Sequence, residues 1–407
     1  MHIGMDALSA TEATALEPID GDAMLGQVQS WAAVNSGSHN REGLARIADM
    51  LADAFSALPG ALSLRDAEHG ERMTDKGTLE PVEYGRNLHL AVRPEAPVQL
   101  LLTGHMDTVY GVDHPFQQLA WRAPGVLGGP GVADMKGGLA VLMAALKAVE
   151  ASPAARRIGY ELVINSDEEL GSPGSAALIA EAARGKAAGF TYEPALDADG
   201  TLAGARPGSG NFSILLSGRS AHAGRNPEDG RNAVVAAADL VLRLAALAGP
   251  GLGINPARID GGGPNNIVPD RAVVRVNIRP RTAEDKQGAE TALRDAIAGV
   301  AAAHEVTAAT HGGFARPPKA FDPATRKLFA FVGDCGAALG QPIGWRDSGG
   351  VCDGNNIAAL GVPVVDTMGA RGGEIHSAEE YLIVDSLAER ARLSALAMLR
   401  LAAGDGP

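Results

Sequence analysis

Only two cysteines, Cys335 and Cys352, occur among the 407 residues. Two thiols do not make a disulfide framework and suit a reducing compartment, so a cytoplasmic protein is expected. Basic clusters are missing as well, and the net charge is −13. That balance argues against nucleic acid and anionic membranes as partners. No stretch reaches the roughly 18 consecutive apolar residues of a membrane span. The opening MHIGMDALSATEATALEP lacks the basic region and apolar core of a signal peptide. Low-complexity tracts and internal repeats are absent. The glycine-rich stretch at 128–138 fits neither GxGxxG nor GxxxxGK[ST], which leaves little weight for a phosphate-binding loop.

What is present is a chain long enough for two domains, with 46% hydrophobic residues to fill their cores. Its centre of organisation is LLLTGHMDTV, residues 100–109. An unbroken apolar run bounded by turn residues predicts a strand buried on both faces. His105 then sits at the strand's end, where open α/β sheets place their ligand sites. Residues two apart on extended backbone share a side, so Asp107 can approach the His105 ring and fix its tautomer.

Around this strand, segments alternate. Helical periodicity covers much of 21–58, NLHLAV and YELVIN read as strands, and GLAVLMAALKAVE reads as a buried helix. Residues 110–133 read as loop. The alternation implies an α/β fold with a mixed, largely parallel sheet flanked by helices. Near Ser209 the pattern becomes β-α-β-β-α-β, the order of a ferredoxin-like domain. Its second helix starts at Thr282 with Asp285 three residues on, a variant capping box. After about Pro317 the first pattern returns. The expected division is a metal-binding domain of residues 1–208 and 317–407, with 209–316 inserted as a lid or dimerisation domain. Linkers are expected near 206–209 and 315–319.

Acidic and histidine residues fall just after strands or in the adjoining loops: His105, Asp134 in GPGVADMKGG, Glu168 and Glu169 after YELVIN, Glu193 in GFTYE, and His376 in GGEIHS. Two histidines and three carboxylates suit a pair of divalent ions, one His and one carboxylate to each, with a third carboxylate shared. Zinc takes such nitrogen and oxygen ligands, and cobalt or manganese can substitute. One of Glu168 and Glu169 is left over as a general base.

The motifs GHMDTV, GPGVADMKGG, SDEELGS, YEP, SAHAG, NNIVPD and HSAEEY occur in that order from about residue 100 to the end. As a set they resemble the zinc aminoacylase and carboxypeptidase family, which includes acetylornithine deacetylase, succinyl-diaminopimelate desuccinylase and glutamate carboxypeptidase. The stretches SAHAGRNPEDGRNAVVAAADLVLR, ARPPKAF and SGGVCDGNNIAALGVPVVDTMG look most like the glutamate carboxypeptidase branch. The resemblance implies that Asp134 bridges two zinc ions, with His105 and Glu193 on one and Glu169 and His376 on the other. It implies Glu168 as base, Asp107 behind His105, and a cis peptide bond after Asp134. It further implies substrate roles for His222, Asn266, Arg279 and Arg316. Chemistry agrees, because arginine's planar fork fits a substrate carboxylate and a histidine can polarise a scissile carbonyl. Cys352 departs from the branch's usual loop and reads as packing. His39, His89, His114, His304 and His311 carry no motif support.

The expected activity is hydrolysis, by metal-activated water, of the amide joining an acyl or aminoacyl group to a C-terminal amino acid, an acidic one preferred. Substrates are then small N-acyl amino acids or short peptides, and a homodimer through the inserted domain is expected. The rivals are a deacylase or dipeptidase without acidic preference, and a metal-dependent binding protein that has lost catalysis. Loss of the base or of a ligand would favour the last, and every such position is filled.

Overall fold

Leu100, Leu101 and Leu102 are all fully buried, at the centre of a six-stranded sheet. The computed structural model describes residues 8–406. Across that sheet the strands run Ala61–Arg65, Asn87–Val92, Ile158–Asn165, Val98–His105, Ala188–Thr191 and Val364–Val365. Asn87–Val92 joins both of its neighbours antiparallel, and the remaining three pairings are parallel. The alternation of side chains explains the apolar run. Leu100 and Leu102 face the large core with the helices Gly138–Glu150 and Asp385–Ala403, whereas Leu101 faces a smaller core with Ala176–Ala182 and Asp353–Ala359.

Residues 110–133, expected as loop, contain two short strands, Ala120–Ala123 and Val126–Gly128. They pair with Gly372–Gly373 and Tyr381–Ile383 in a separate four-stranded sheet. The exposed run AWRA carries no period-2 apolar signal, so its partner far along the chain makes it a strand. This sheet brings the Asp134 loop and the His376 segment together.

Ser209–Ser217, Leu252–Gly261, Arg271–Pro280 and Thr307–Arg316 form another four-stranded sheet, all antiparallel. The helices Ala233–Ala246 and Ala283–Ala303 cover one face over a core including Ile214, Leu216, Val274 and Leu240. Thr282 and Asp285 close their capping box as expected. The opposite face, bearing Asn211 and Asn277, turns toward the six-stranded sheet's ligand end.

Two segments join this unit to the rest, and they run side by side. Arg206 and Lys319 exchange both backbone N–H···O bonds at 3.0 Å. Both side chains reach the fully buried Asp366: Arg206 Nε donates to Oδ2 at 2.8 Å and Lys319 Nζ to the same oxygen at 2.7 Å. No described helix is long and apolar enough to cross a membrane.

Candidate metal centre

Three neighbouring parallel strands deliver candidate site residues from the same end. His105 closes Val98–His105, Glu193 follows Ala188–Thr191 by two residues, and Glu168 and Glu169 follow Ile158–Asn165 by three and four. Asp134 comes from the turn that opens the helix Gly138–Glu150, and the Asp134–Met135 peptide bond is cis. His376 arrives from the small sheet's loop with φ 62°.

Two groups of three donors result, His105–Asp134–Glu193 and Asp134–Glu169–His376, each with its atoms within 4.8 Å of one another. Asp134 belongs to both. His105 Nε2 lies 3.0 Å from Asp134 Oδ1 and 3.7 Å from Glu193 Oε1. His376 Nε2 lies 3.4 Å from Asp134 Oδ2 and 3.2 Å from Glu169 Oε2. The two oxygens of one carboxylate thus face two different histidines.

Asp107 acts through both its groups. Its backbone carbonyl lies 3.0 Å from His105 Nδ1, nearer than its carboxylate at 3.4 Å. The carboxylate accepts the Ser38 hydroxyl at 2.8 Å and the backbone N–H groups of Glu168 and Glu169 at 3.2 Å each. One buried aspartate therefore fixes the His105 ring and the turn that presents both glutamates.

The charges are arranged for a cation. Burial raises the carboxyl of Glu169 to about 7, aided by the nearby Asp134. Glu168 and Glu193 are pushed up mainly by burial as well. Asp134 goes the other way: burial opposes ionisation, but the two histidines outweigh it. His376 rises to about 11, chiefly through Asp134 and then Glu169. Burial alone would depress His105, yet Glu193, Asp107 and Asp134 pull it well above the usual histidine range. Oε1 of Glu169 and Oε1 of Glu193 are buried with no hydrogen-bond partner among the described residues. Buried carboxylate oxygens demand a partner. A donor set of imidazoles and carboxylates, without thiolate, fits divalent zinc, cobalt or manganese.

These residues open on a cavity of about 1120 Å³ that also meets the inserted unit at Asn211, Asn255, Asn277 and Arg279. Arg279 donates from Nη1 to the Gly349 carbonyl across the cleft at 3.2 Å. Cys352 lines the cavity, buried, and its sulfur accepts the Gly354 N–H at the start of a short helix.

The remaining candidates are spread more widely. Arg316 touches the cavity but is only 2% exposed, and its guanidinium is already engaged. It pairs with Asp353, donates to Glu168 Oε1 at 2.7 Å and to Ser172 Oγ at 2.9 Å. The guanidinium is thus held by two carboxylates, one of them that of Glu168. His222 and Asn266 are exposed and do not line their own chain's cavity. They neighbour each other, with the Ala223 N–H donating to the Asn266 carbonyl at 3.0 Å. His89 and His304 are taken up by Glu161 and Asp239. Asp353 and Glu380 lie within SGGVCDGNN and HSAEEY, where nothing in the residue pattern sets them apart. Each is buried and works only through partners distant along the chain.

The model of peptidase family M20/M25/M40 matches residues 101–400. Carboxypeptidase G2 of Pseudomonas sp. (strain RS-16) is 30% identical over 333 residues, 79% of this chain and 78% of that protein. Among solved structures, a tripeptidase from Staphylococcus aureus is similar with a TM-score of 0.71 at 22% identity, covering 95% of this chain and 99% of its own. A dinuclear metal-binding peptidase of Bacillus subtilis gives 0.64 at 15% identity, covering 94% and 98%. At those identities the structures speak for the fold alone. The family match and the curated relative go further: the chain belongs to peptidase family M20/M25/M40, a family of metal-dependent hydrolases.

Proposed function

We propose that the chain is a di-zinc hydrolase that releases a C-terminal amino acid, an acidic one by preference, from an acyl or aminoacyl group. The observation that carries this reading is the shared carboxylate: Asp134 turns one oxygen to each histidine, beside buried oxygens of Glu169 and Glu193 that lack a hydrogen-bond partner among the described residues. In this reading His105 and Glu193 hold one ion, Glu169 and His376 the other, and Asp134 both. A pair of divalent ions supplies Lewis acidity and lowers the pKa of water toward neutrality. The remaining work belongs to side chains. Glu168 stands outside both donor groups, takes the proton of the attacking water and passes it to the leaving amine nitrogen. Arg316 and Asp353 fix its carboxylate, and Arg279 receives the C-terminal carboxylate of the substrate.

Residues 209–316 act as the lid, and a homodimer through this unit supplies His222 and Asn266 to the neighbouring cavity. Two buried free thiols suit the cytoplasm as the working compartment. The decisive experiment incubates the zinc-loaded protein with a panel of N-acyl and aminoacyl amino acids and identifies the products. Release of glutamate or aspartate in preference to neutral residues supports the reading. Equal release of all residues favours a general deacylase or dipeptidase, and no release from any favours a binding protein.

A further inference from the structure

The wall that the insert gives the cavity carries three side-chain amides. Asn211, Asn277 and Asn255 stand directly opposite one another on three adjacent strands of the inserted sheet. Such partners have Cβ atoms roughly 4.5–5.5 Å apart. Phe212, Val276 and Ile278, their chain neighbours, point into the insert's core, so the asparagines share the open face. All three line the cavity.

The middle asparagine sets the orientation of the others. Asn277 Nδ2 donates to Ser209 Oγ at 3.0 Å and to Asn211 Oδ1 at 2.8 Å. Its Oδ1 accepts Arg279 Nε at 2.9 Å. Asn277 is therefore used up, the oxygen of Asn211 is occupied, and the Asn211 amide hydrogens are left to face the cavity. Among the described residues neither the Asn211 amide nitrogen nor the Asn255 side chain has a protein partner. Arg279 is held at Nε by Asn277 and at Nη1 by Gly349, which leaves Nη2 available. Gly253 stands opposite Arg279 and puts no side chain beside the guanidinium.

No acidic residue of the insert lines the cavity. Free donors from Asn211, Asn255 and Arg279 outnumber the acceptor oxygen that Asn255 also presents, so the wall suits a ligand that offers acceptors. Arg279 and Asn277 are two residues apart on one strand, roughly 7 Å along it. That is the scale of an extended amino-dicarboxylic acid, one carboxylate at each row.

We propose that Asn211 and Asn255, oriented by Asn277, form the specificity subsite for the side-chain carboxylate of the released amino acid, while Arg279 takes its α-carboxylate. The proposal rests on the hydrolase reading above and assigns its acidic preference to named groups. The test compares wild type with Asn211→Asp and Asn255→Asp, near-isosteric changes at exposed positions that set a negative charge in the donor wall. Two measurements are made on zinc-loaded protein: kcat/KM for N-benzoyl-glutamate and N-benzoyl-leucine, and calorimetric binding of free glutamate and free leucine. The glutamate-to-leucine ratio is expected to fall at least tenfold in one or both variants, by turnover and by binding. An unchanged ratio in both variants overturns the subsite. If wild type cleaves neither compound, the hydrolase reading is judged on the wider panel above, and binding alone decides the subsite. A glutamate preference lost in the variants upholds the subsite, and equal binding of the two amino acids overturns it.

Discussion

Glu380 accepts the backbone N–H of Asp134 at 3.0 Å. The same carboxylate accepts the N–H groups of Ala133 at 3.0 Å and Gly131 at 3.2 Å, and it is fully buried. His376 lies four residues before it. One short segment therefore supplies a candidate metal ligand and clamps the turn that carries the shared aspartate. Tyr110 bolts the segment from outside, its hydroxyl donating to the Ser377 carbonyl at 2.8 Å.

Glu380→Gln keeps the shape of this clamp and removes its charge. Supporting groups of this kind typically cost 10–100-fold in metal affinity when changed. The expected outcome is metal loss at a lower chelator concentration, with the melting temperature only modestly reduced. Glu380→Ala, which leaves buried N–H groups without an acceptor, should lose both metal and stability. Metal content after dialysis against graded chelator checks this, and retention like wild type in both variants would remove Glu380 from the site's support.

Glu168→Gln addresses the chemistry. It takes away a proton acceptor without touching either donor group. Turnover should drop about 10²–10⁴-fold, the usual contribution of general acid–base catalysis. Two metals per chain should remain. Metal analysis and kinetics on one sample make the comparison, and near-normal turnover would exclude Glu168 as the base.

The two arginines should separate in kind. Arg279 is exposed in the cleft, and Arg279→Ala should raise KM most for substrates with a free C-terminal carboxylate. Amidating that carboxylate should narrow the gap to wild type. Arg316→Ala should lower kcat instead, because Glu168 loses its brace. It also strands buried Asp353, and breaking a buried pair costs about 3–5 kcal/mol. Steady-state kinetics on free and amidated substrates, with thermal melts, distinguish them. A carboxylate-dependent KM effect in Arg316→Ala would restore it to substrate binding.

Most of the catalytic frame was legible because it is local. The run of three leucines, the residues closing each strand and the β-α-β-β-α-β order are read within short windows, and the structure repeats them. What stayed hidden is non-local. AWRA becomes a strand only because Val126–Gly128 returns beside it and pairs onward with Tyr381–Ile383. Arg316 pairs with Asp353, 37 residues on, a partner that no short window of the sequence displays. The asparagines at 211, 255 and 277 are unremarkable singly, and only the register of three strands sets them in a row.

His222 poses the remaining geometric question. It is exposed in the loop after Ser209–Ser217, where its Nδ1 accepts the Gly224 N–H at 3.1 Å, and it does not line its own cavity. The insert carries exposed apolar side chains at Leu242, Val235 and Ile259, on a helix and an edge strand. Edge strands are natural places for a second copy to pair, and a two-fold pairing would carry each His222 toward the other chain. Set there, its ring would hold the developing oxyanion. Its removal should then cost 10²-fold or more in kcat, the loss usual for such a donor, while two metals stay bound. Co-expressing His222→Ala with Glu168→Gln turns this into a test of which chain acts. Each homodimer lacks one group at both sites. A mixed dimer in which His222 crosses between chains has one site with both groups intact. It should recover up to half the wild-type activity per dimer, though neither parent is active. If mixed dimers form, as tagged co-purification would establish, and remain inactive, the histidine acts within its own chain and the insert must swing over the metals to deliver it.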